Sequence, residues 1–577
     1  MQDDFTVFWR NNARACDLFY DLLARAEKEE YDDDFLTQLA AYREAMGNTV
    51  HADIFAAQYL LHHDDAETAL VCAERAFHSR MIEPRLWQVL IATYHFLGRS
   101  ADALIMQGRL ANLLNEPLTS DCPPALLTDD LLSRLSVAMG KPSYAPMTLS
   151  RMTYNAATGF SAHEGVFAGE FLPTTADSRP PYYVAAYMEQ EQQGNKAWLL
   201  HTIQNAEGFA DNVGGEFVYD LIRGARAPGR ANVTLSAGEE IVLPVLGVQT
   251  FQKFHIETKH LSKDTPLSPA SPNFFRLAES ATLSSDHSFI VGTPIHVGHS
   301  EKRRPLVLNF LADALPWEIV RGHFAEWMPN TARFFARGAI FDQHFSVSEY
   351  TYPSLPSIET GMYPHHSQIF NDKITVPLNS AYVTLSDRMR DLGYQTANLL
   401  GDAAGVYNNV TRGYDRLLVS GYRMPAYEGV ERTIRHLEGL RDADHFIFLH
   451  ATDVHPWAYP RFQITASVQA RLPLADRLSG AEGSDPSPYL RATPLAEAAC
   501  IQGIRDLDRA LGTLFSYLEQ NYDPEEYLVS LYSDHGVPVF STEHYIVSRA
   551  MTHAAWMMRG AGVPEGIVAR ELTSAVD

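Results

Sequence analysis

The C-terminal part of this sequence predicts an α/β fold: a mostly parallel sheet with helices on both faces. Three observations carry that reading. Short apolar runs recur at 306–312, 445–450 and 527–533, each about the length of a buried strand, and the helix-end Gly393 leads into a further strand over 394–400. Helical patterns lie between them, the longest at 495–522, with Ile504, Leu507, Leu511, Leu514 and Leu518 at helical spacing. Two of the runs stop at an acid, Asp313 and Asp534. Strand–helix alternation is the signature of a parallel sheet wrapped by helices, and ligands of such sheets collect beyond the carboxyl ends of the strands.

The N-terminal half reads differently. Residues 1–140 look helical throughout and form the first expected domain. The acidic run 27–34 reads as a solvated helix end. Ala69-Leu70 recurs as Ala103-Leu104, an offset of 34 residues, with Pro84 and the Leu97-Gly98-Arg99 turn between helices. That offset resembles the tetratricopeptide repeat, in which stacked helix pairs line a binding surface. The repeat's consensus Trp and Tyr are mostly missing, and a plain helical bundle fits the pattern equally well. Either would serve docking or dimerisation. Residues 115–150 carry five prolines, at 117, 123, 124, 142 and 146, and read as a connector.

From about 150 to 300 the periodicity changes to two, as expected of a small β-rich domain. Its histidines, among them His255, His260, His287, His296 and His299, lack paired ligand spacing with an acid and are read as structural or surface groups. The third expected domain, 303–577, is the α/β part.

Size and composition set outer limits. At 577 residues the chain is too long for one core, so two to four domains are expected. A net charge of −24 argues against a nucleic acid or an anionic membrane as the main partner. Cys16, Cys72, Cys122 and Cys500 have no disulfide or metal spacing and read as reduced core residues. The start, Met1-Gln2-Asp3-Asp4-Phe5, lacks a leader pattern, and no apolar run approaches the ~20 residues that cross a bilayer. The expectation is a cytoplasmic protein without a membrane span. It would use its helical domain on a protein partner or on a second copy of itself.

The chemistry-bearing residues come from three separated stretches. Asp313 ends the first run. Thr351-Tyr352-Pro353-Ser354-Leu355-Pro356-Ser357-Ile358-Glu359-Thr360-Gly361 follows about forty residues on. Ser533-Asp534-His535-Gly536 ends the last strand. Two carboxylates, an imidazole and a hydroxyl converging on one point suit a divalent cation such as Mn or Zn.

Together these motifs resemble the alkaline phosphatase superfamily in its sulfatase-like branch. Sulfatases carry C-x-P-S-R followed by x-S-x-x-T-G. Thr351 to Ser354 and Ser357 to Gly361 fall at that spacing, and Tyr363-Pro364 continues it. Ser533 to Gly536 matches the family's S-D-H-G. Leu507-Asp508 with Leu511-Gly512 matches its l-D-x-x-l-G helix, and Val563-Pro564, Glu571-Leu572 and Val576-Asp577 resemble its closing stretch. The resemblance runs from the strand before Asp313 to the C-terminus. Family members usually continue beyond it, so a further C-terminal portion is expected.

The resemblance implies an alkaline-phosphatase-like fold. It also implies a metal held by Asp313, Asp534 and His535, with Thr351 as nucleophile and as a further ligand. Mn or Zn is expected, with Mg or Ca as alternatives. In phosphoethanolamine transferases, H-x-x-G-S-H-G-P sets two histidines five residues apart, as are His450 and His455 here. By that likeness both are catalytic, and His455 holds the transferring group or protonates the leaving oxygen. His544 resembles a late active-site histidine that binds substrate. One metal is favoured over two, with Asp453 available to a second ion or to the substrate.

The departures from the sulfatase pattern set the substrate class. Thr351 stands where sulfatases carry a convertible Cys or Ser, Leu355 replaces the Arg, and the basic G-K-x-H stretch is Gly401-Asp402-Ala403-Ala404. A phosphoryl-group hydrolase or transferase is therefore expected, acting on a phosphodiester or on a phosphate-linked lipid or glycan. Modification of a surface polysaccharide is the more specific expectation. The alternatives are a sulfatase, and a catalytically degenerate scaffold that works through its helical domain.

Overall fold

The computed structural model describes residues 12–139, 149–165, 171–172, 182–187, 218–269, 271–370, 377–401, 410–420, 424–455, 466–478, 493–541 and 547–577. The chain divides into two units. One comprises 1–141 with 150–163 and 373–379, and the other comprises 142–149, 164–372 and 380–577.

The first unit is helical: α1 (Ala13–Glu27), α2 (Asp33–Met46), α3 (Val50–His62), α4 (Ala66–Ser79), α5 (Pro84–Phe96), α6 (Ser100–Leu114) and α7 (Asp129–Met139). The starts follow from capping chemistry. Asn12, Asp32, Thr49 and Asp65 each accept a hydrogen bond from a first-turn N–H, and Pro84 occupies a first-turn position that needs no N–H donor. Asp32, inside the acidic run, is thus a helix cap. The starts of α3 and α5, and those of α4 and α6, are 34 residues apart. Phe35, Tyr42, Phe55 and Trp87 fill the core of this unit.

The second unit is organised by one long sheet. Its strands include β1 (Val218–Ala227), β2 (Leu306–Ala312), β3 (Ala339–Phe345), β4 (Gln395–Leu400), β5 (Arg416–Ser420), β6 (His445–Ala451), β7 (Tyr527–Tyr532), β8 (Trp556–Gly560) and β9 (Ile567–Ser574). From β1 the order is β1-β5-β4-β6-β2-β7-β8-β3-β9. The stretch β5-β4-β6-β2-β7 is parallel throughout, while β8 runs antiparallel to β7 and β3. Every residue of β4 and β6 is buried; β6 accordingly reads as a largely apolar run, while β4 also buries Gln395, Thr396 and Asn398. This is the mostly parallel α/β architecture that the sequence predicts.

The sequence places a domain boundary near residue 300, and in the structure the sheet runs across it. β1 pairs antiparallel with β5, and Arg416 grips Asp220 through two bonds of 2.8 and 2.7 Å. A separate antiparallel sheet of Arg230–Val233, Ala281–Ser285, Gln252–Thr258 and Ser262–Leu267 belongs to the same unit.

The helices that matter for the site are α8 (Trp317–Trp327), α9 (Pro329–Phe335), α10 (Thr351–Thr360), α11 (Leu385–Asp391), α12 (Ala426–Gly439) and α13 (Pro494–Asn521). Leu308 and Phe310 of β2, Leu449 and Leu531 share one apolar cluster with α8, α9, α12 and α13. The pleat sends alternate residues to the other face, so Leu311 and then Asp313 project away from that cluster. The l-D-x-x-l-G motif acquires a physical reason here. Asp508 accepts hydrogen bonds from the Asn330 and Thr331 N–H groups and the Thr331 hydroxyl, at 3.2, 2.8 and 2.8 Å, capping α9. A Cβ at Gly512 would stand 2.8 Å from Asn330 Cγ, so only glycine lets α13 approach.

All four cysteines are free. Among the described residues no helix is long and apolar enough to cross a membrane.

Candidate active site

β6, β2 and β7 are adjacent, and all three end on the same edge of the sheet. Asp313 leaves β2 with its N–H still bonded to the Ala451 carbonyl, at 3.0 Å. Leu311 pairs with Tyr532 on one side and His450 on the other. By the pleat, Asp313, Asp534 and His450 therefore share one face. Ser533 pins the turn after β7: its hydroxyl donates to the Leu315 carbonyl at 3.0 Å and accepts from the Ala555 N–H at 2.8 Å. A Cβ at Gly536 would lie 2.2 Å from the Ala550 carbonyl oxygen. Both ends of S-D-H-G thus serve to hold Asp534 and His535 in place.

Ala314 adopts φ 61°, left-handed backbone that is unusual for a residue with a side chain. The turn aims its N–H at Asp534 Oδ1, 3.2 Å away. Two strand ends are joined at the point where the two carboxylates meet.

His535 lies at the centre of the cluster. Its Nδ1 is 2.7 Å from the Gly536 carbonyl oxygen, which can only accept, so Nδ1 carries the proton and Nε2 presents a lone pair. Nε2 is 3.5 Å from Asp313 Oδ1, 3.6 Å from Asp534 Oδ2 and 3.4 Å from Thr351 Oγ1. Asp313, His455 and His535 offer donor atoms that all lie within 4.8 Å of one another. Asp313, Asp534 and His535 are buried, and His455 is partly exposed.

This donor set fits a divalent cation. Asp534 Oδ2 is buried and has no hydrogen-bond partner among the described residues, an expensive state for a carboxylate oxygen without a counter-charge. Burial pushes the Asp534 carboxyl up, but His535, His450, the Thr351 hydroxyl and the Ala314 N–H together outweigh it and hold the group below the usual carboxylate range. An ionised acid with a free oxygen, facing imidazole lone pairs, is what a metal needs.

Thr351 is the first residue of α10 and is buried. Ser354, one turn on, donates its hydroxyl to the Tyr350 and Asp534 carbonyls at 3.0 and 3.1 Å, tying this helix to the turn that carries Asp534. At the far end, the buried Glu359 accepts from the Tyr414 hydroxyl at 2.7 Å and from the Ser386 N–H and hydroxyl at 3.1 and 2.9 Å. Burial raises its carboxyl. Leu355 is buried, filling the place of the sulfatase Arg with an apolar side chain.

The remaining expected residues divide. His450 is fully buried with Nε2 3.1 Å from Asp313 Oδ2, so it touches the acid rather than open space. Asp453 Oδ2 accepts from the Ala426 N–H at 2.6 Å, a capping contact at the start of α12. His544 and residues 402–404 lie outside the described residues. Ser354 and Glu359 carry structural roles that the motif spacing alone does not assign. Their polarity inside a helix that also holds Pro353 and Pro356 was the available signal.

Residues 306–577 match the family model described as sulfatase. No curated protein sequence matches the chain significantly. Solved structures resembling it include a phosphonate monoester hydrolase of Agrobacterium radiobacter, with 19% identity, 48% of this chain and 72% of that one covered, and a TM-score of 0.37. A phosphonate monoester hydrolase from Silicibacter pomeroyi shares 16% identity over 48% and 71% of the two chains, with a TM-score of 0.39. A 2-O GAG sulfatase shares 15% over 48% and 68%, with a TM-score of 0.36. Residues 306–577 are thus a sulfatase-family domain. The match covers that C-terminal domain and not the rest of the chain.

Proposed function

We propose that the α/β unit is a metal-dependent ester hydrolase or transferase that uses Thr351 as its nucleophile. Its substrate class is a phosphodiester or a phosphate-linked lipid or glycan, including surface polysaccharide. The observation that carries this reading is the convergence of Thr351, Asp313, Asp534, His535 and His455 at the ends of three adjacent strands. Preference for phosphate over sulfate rests on Thr351 in place of a convertible Cys or Ser, and on the buried Leu355 in place of Arg.

Asp313, Asp534, His535 and Thr351 would hold the ion, with His455 on the exposed side of the cluster. When bound, a divalent cation would lower the pKa of the Thr351 hydroxyl and offset the charge of an incoming ester. Thr351 Oγ1, its proton given up to water, attacks phosphorus in line as the bond to the leaving oxygen breaks, giving a phosphothreonine. His455 donates a proton to that leaving oxygen. Water, or an acceptor alcohol, then attacks the phosphothreonine with His455 taking its proton, and Thr351 leaves as the alkoxide and regains a proton from water. His450 and Ser354 orient Asp313 and Asp534 and take no part in proton transfer.

The direct test is metal analysis of the purified chain, followed by hydrolysis of bis-p-nitrophenyl phosphate beside p-nitrophenyl sulfate. Turnover of the diester above the sulfate supports the reading. Sulfate turnover alone, or no turnover with a fully loaded metal site, removes it.

A further inference from the structure

Arg109, in the last turns of α6, is buried in the helical unit with only 6% of its surface exposed. Its Nε and Nη1 are enclosed and have no hydrogen-bond partner among the described residues. Two acids of this unit, Asp102 and Glu74, are committed to other arginines. Asp102 accepts from Arg99 and Arg134, at 2.8 Å each, and Glu74 pairs with Arg99 at 3.7 Å. The Phe77 ring lies 5.9 Å from the Arg109 guanidinium carbon. That cation–π contact offsets part of the charge but supplies no acceptor for the N–H groups. Burial, and then repulsion by Arg134, lowers Arg109 to about 10, so it stays protonated at neutral pH. A buried, charged fork with unspent donors is among the costliest groups a core can hold.

We infer that Arg109 marks a binding site for a small oxyanion, such as phosphate, sulfate or the carboxylate of a small molecule. The fork geometry matches two oxygens of such a group. The site is independent of the ester chemistry proposed for the α/β unit.

The test is calorimetric titration of the full chain with sodium phosphate and with sodium sulfate, against sodium chloride at matched ionic strength. Wild type is compared with Arg109→Met, which replaces the charge by an apolar chain of similar reach. Any anion binding at the α/β site is common to both proteins and cancels. The expected result is loss of one oxyanion-binding event in Arg109→Met with diester hydrolysis unchanged. Superimposable isotherms for the two proteins, or an equal response to chloride, would overturn the inference. If Arg109→Met does not fold, Arg109→Lys keeps the charge and loses the fork. Oxyanion affinity should then fall at least about tenfold, and an unchanged affinity overturns the inference equally.

Discussion

The Thr351 hydroxyl lies 3.4 Å from His535 Nε2, the ring nitrogen left without a proton by the 2.7 Å contact between Nδ1 and the Gly536 carbonyl. A hydroxyl pointing at an imidazole lone pair, with two carboxylates alongside, is a poised nucleophile and not a loop ornament. Thr351→Ala should therefore cut diester turnover by on the order of 10³-fold or more. Only a hydroxyl and a methyl group are lost, so the melting temperature should change by no more than about 3 °C. Thr351→Ser should retain part of the activity. Full activity in Thr351→Ala would remove Thr351 from the chemistry.

The two acids give a second expectation. Asp313 and Asp534 are buried together, with His535 beside both and His450 against Asp313, and two imidazoles are a weak counter-charge for two buried carboxylates. Dialysis against chelator should abolish turnover and lower the melting temperature of the α/β unit, and Mn or Zn should restore both. Asp534→Asn should reduce metal content measured by elemental analysis. Activity that survives excess chelator with metal absent would exclude a catalytic ion.

Ser354 supplies a third. Its hydroxyl bridges the Tyr350 and Asp534 carbonyls at 3.0 and 3.1 Å and is fully buried. Ser354→Ala should cost about 1–3 kcal/mol of stability by stranding buried carbonyls. It should also weaken metal binding, because the turn carrying Asp534 loses its tie to α10. Calorimetric metal titration reads this directly. Lost stability with unchanged metal affinity would reduce Ser354 to a packing role.

The parallel centre of the sheet was legible because β2, β6 and β7 are largely buried and spell themselves as apolar runs, while β4, with Gln395, Thr396 and Asn398, is marked instead by the Gly393 turn before it. Asp313, Asp534 and His535 were legible because each sits immediately past such a run, where chain direction alone dictates exposure to the ligand edge. Asp453 was harder: an acid two residues past β6 has the same signature whether it faces a ligand or, as here, caps α12 through Ala426. The crossing of the sheet from β5 to β1 was hidden for a different reason. Antiparallel pairing between residues 200 positions apart leaves no local trace, and Arg416 with Asp220 looks like any two surface charges until the strands are paired. Ser354 and Glu359 had no legible role, since their partners, the Asp534 carbonyl and the Tyr414 hydroxyl, lie far away in sequence.

Acid sensitivity follows from histidines whose burial outweighs the negative charge near them. His445, at the start of β6, is lowered to about 4, because burial outweighs the favourable Leu440 carbonyl at 2.9 Å. His344 on β3 is likewise lowered to about 4 by burial. Between pH 6.5 and 4 the unfolded chain binds these protons and the folded chain does not. Stability is therefore fully present above about pH 6.5 and declines as pH falls toward 4. A shift of this size amounts to about 3 kcal/mol per residue at the lower end. Urea unfolding of the α/β unit should give a midpoint that falls steadily across that window. His445→Gln keeps a donor for the Leu440 carbonyl and cannot take up a proton, so its midpoint should fall less steeply than that of wild type. Parallel pH profiles for the two proteins would show that His445 is not a source of the acid sensitivity.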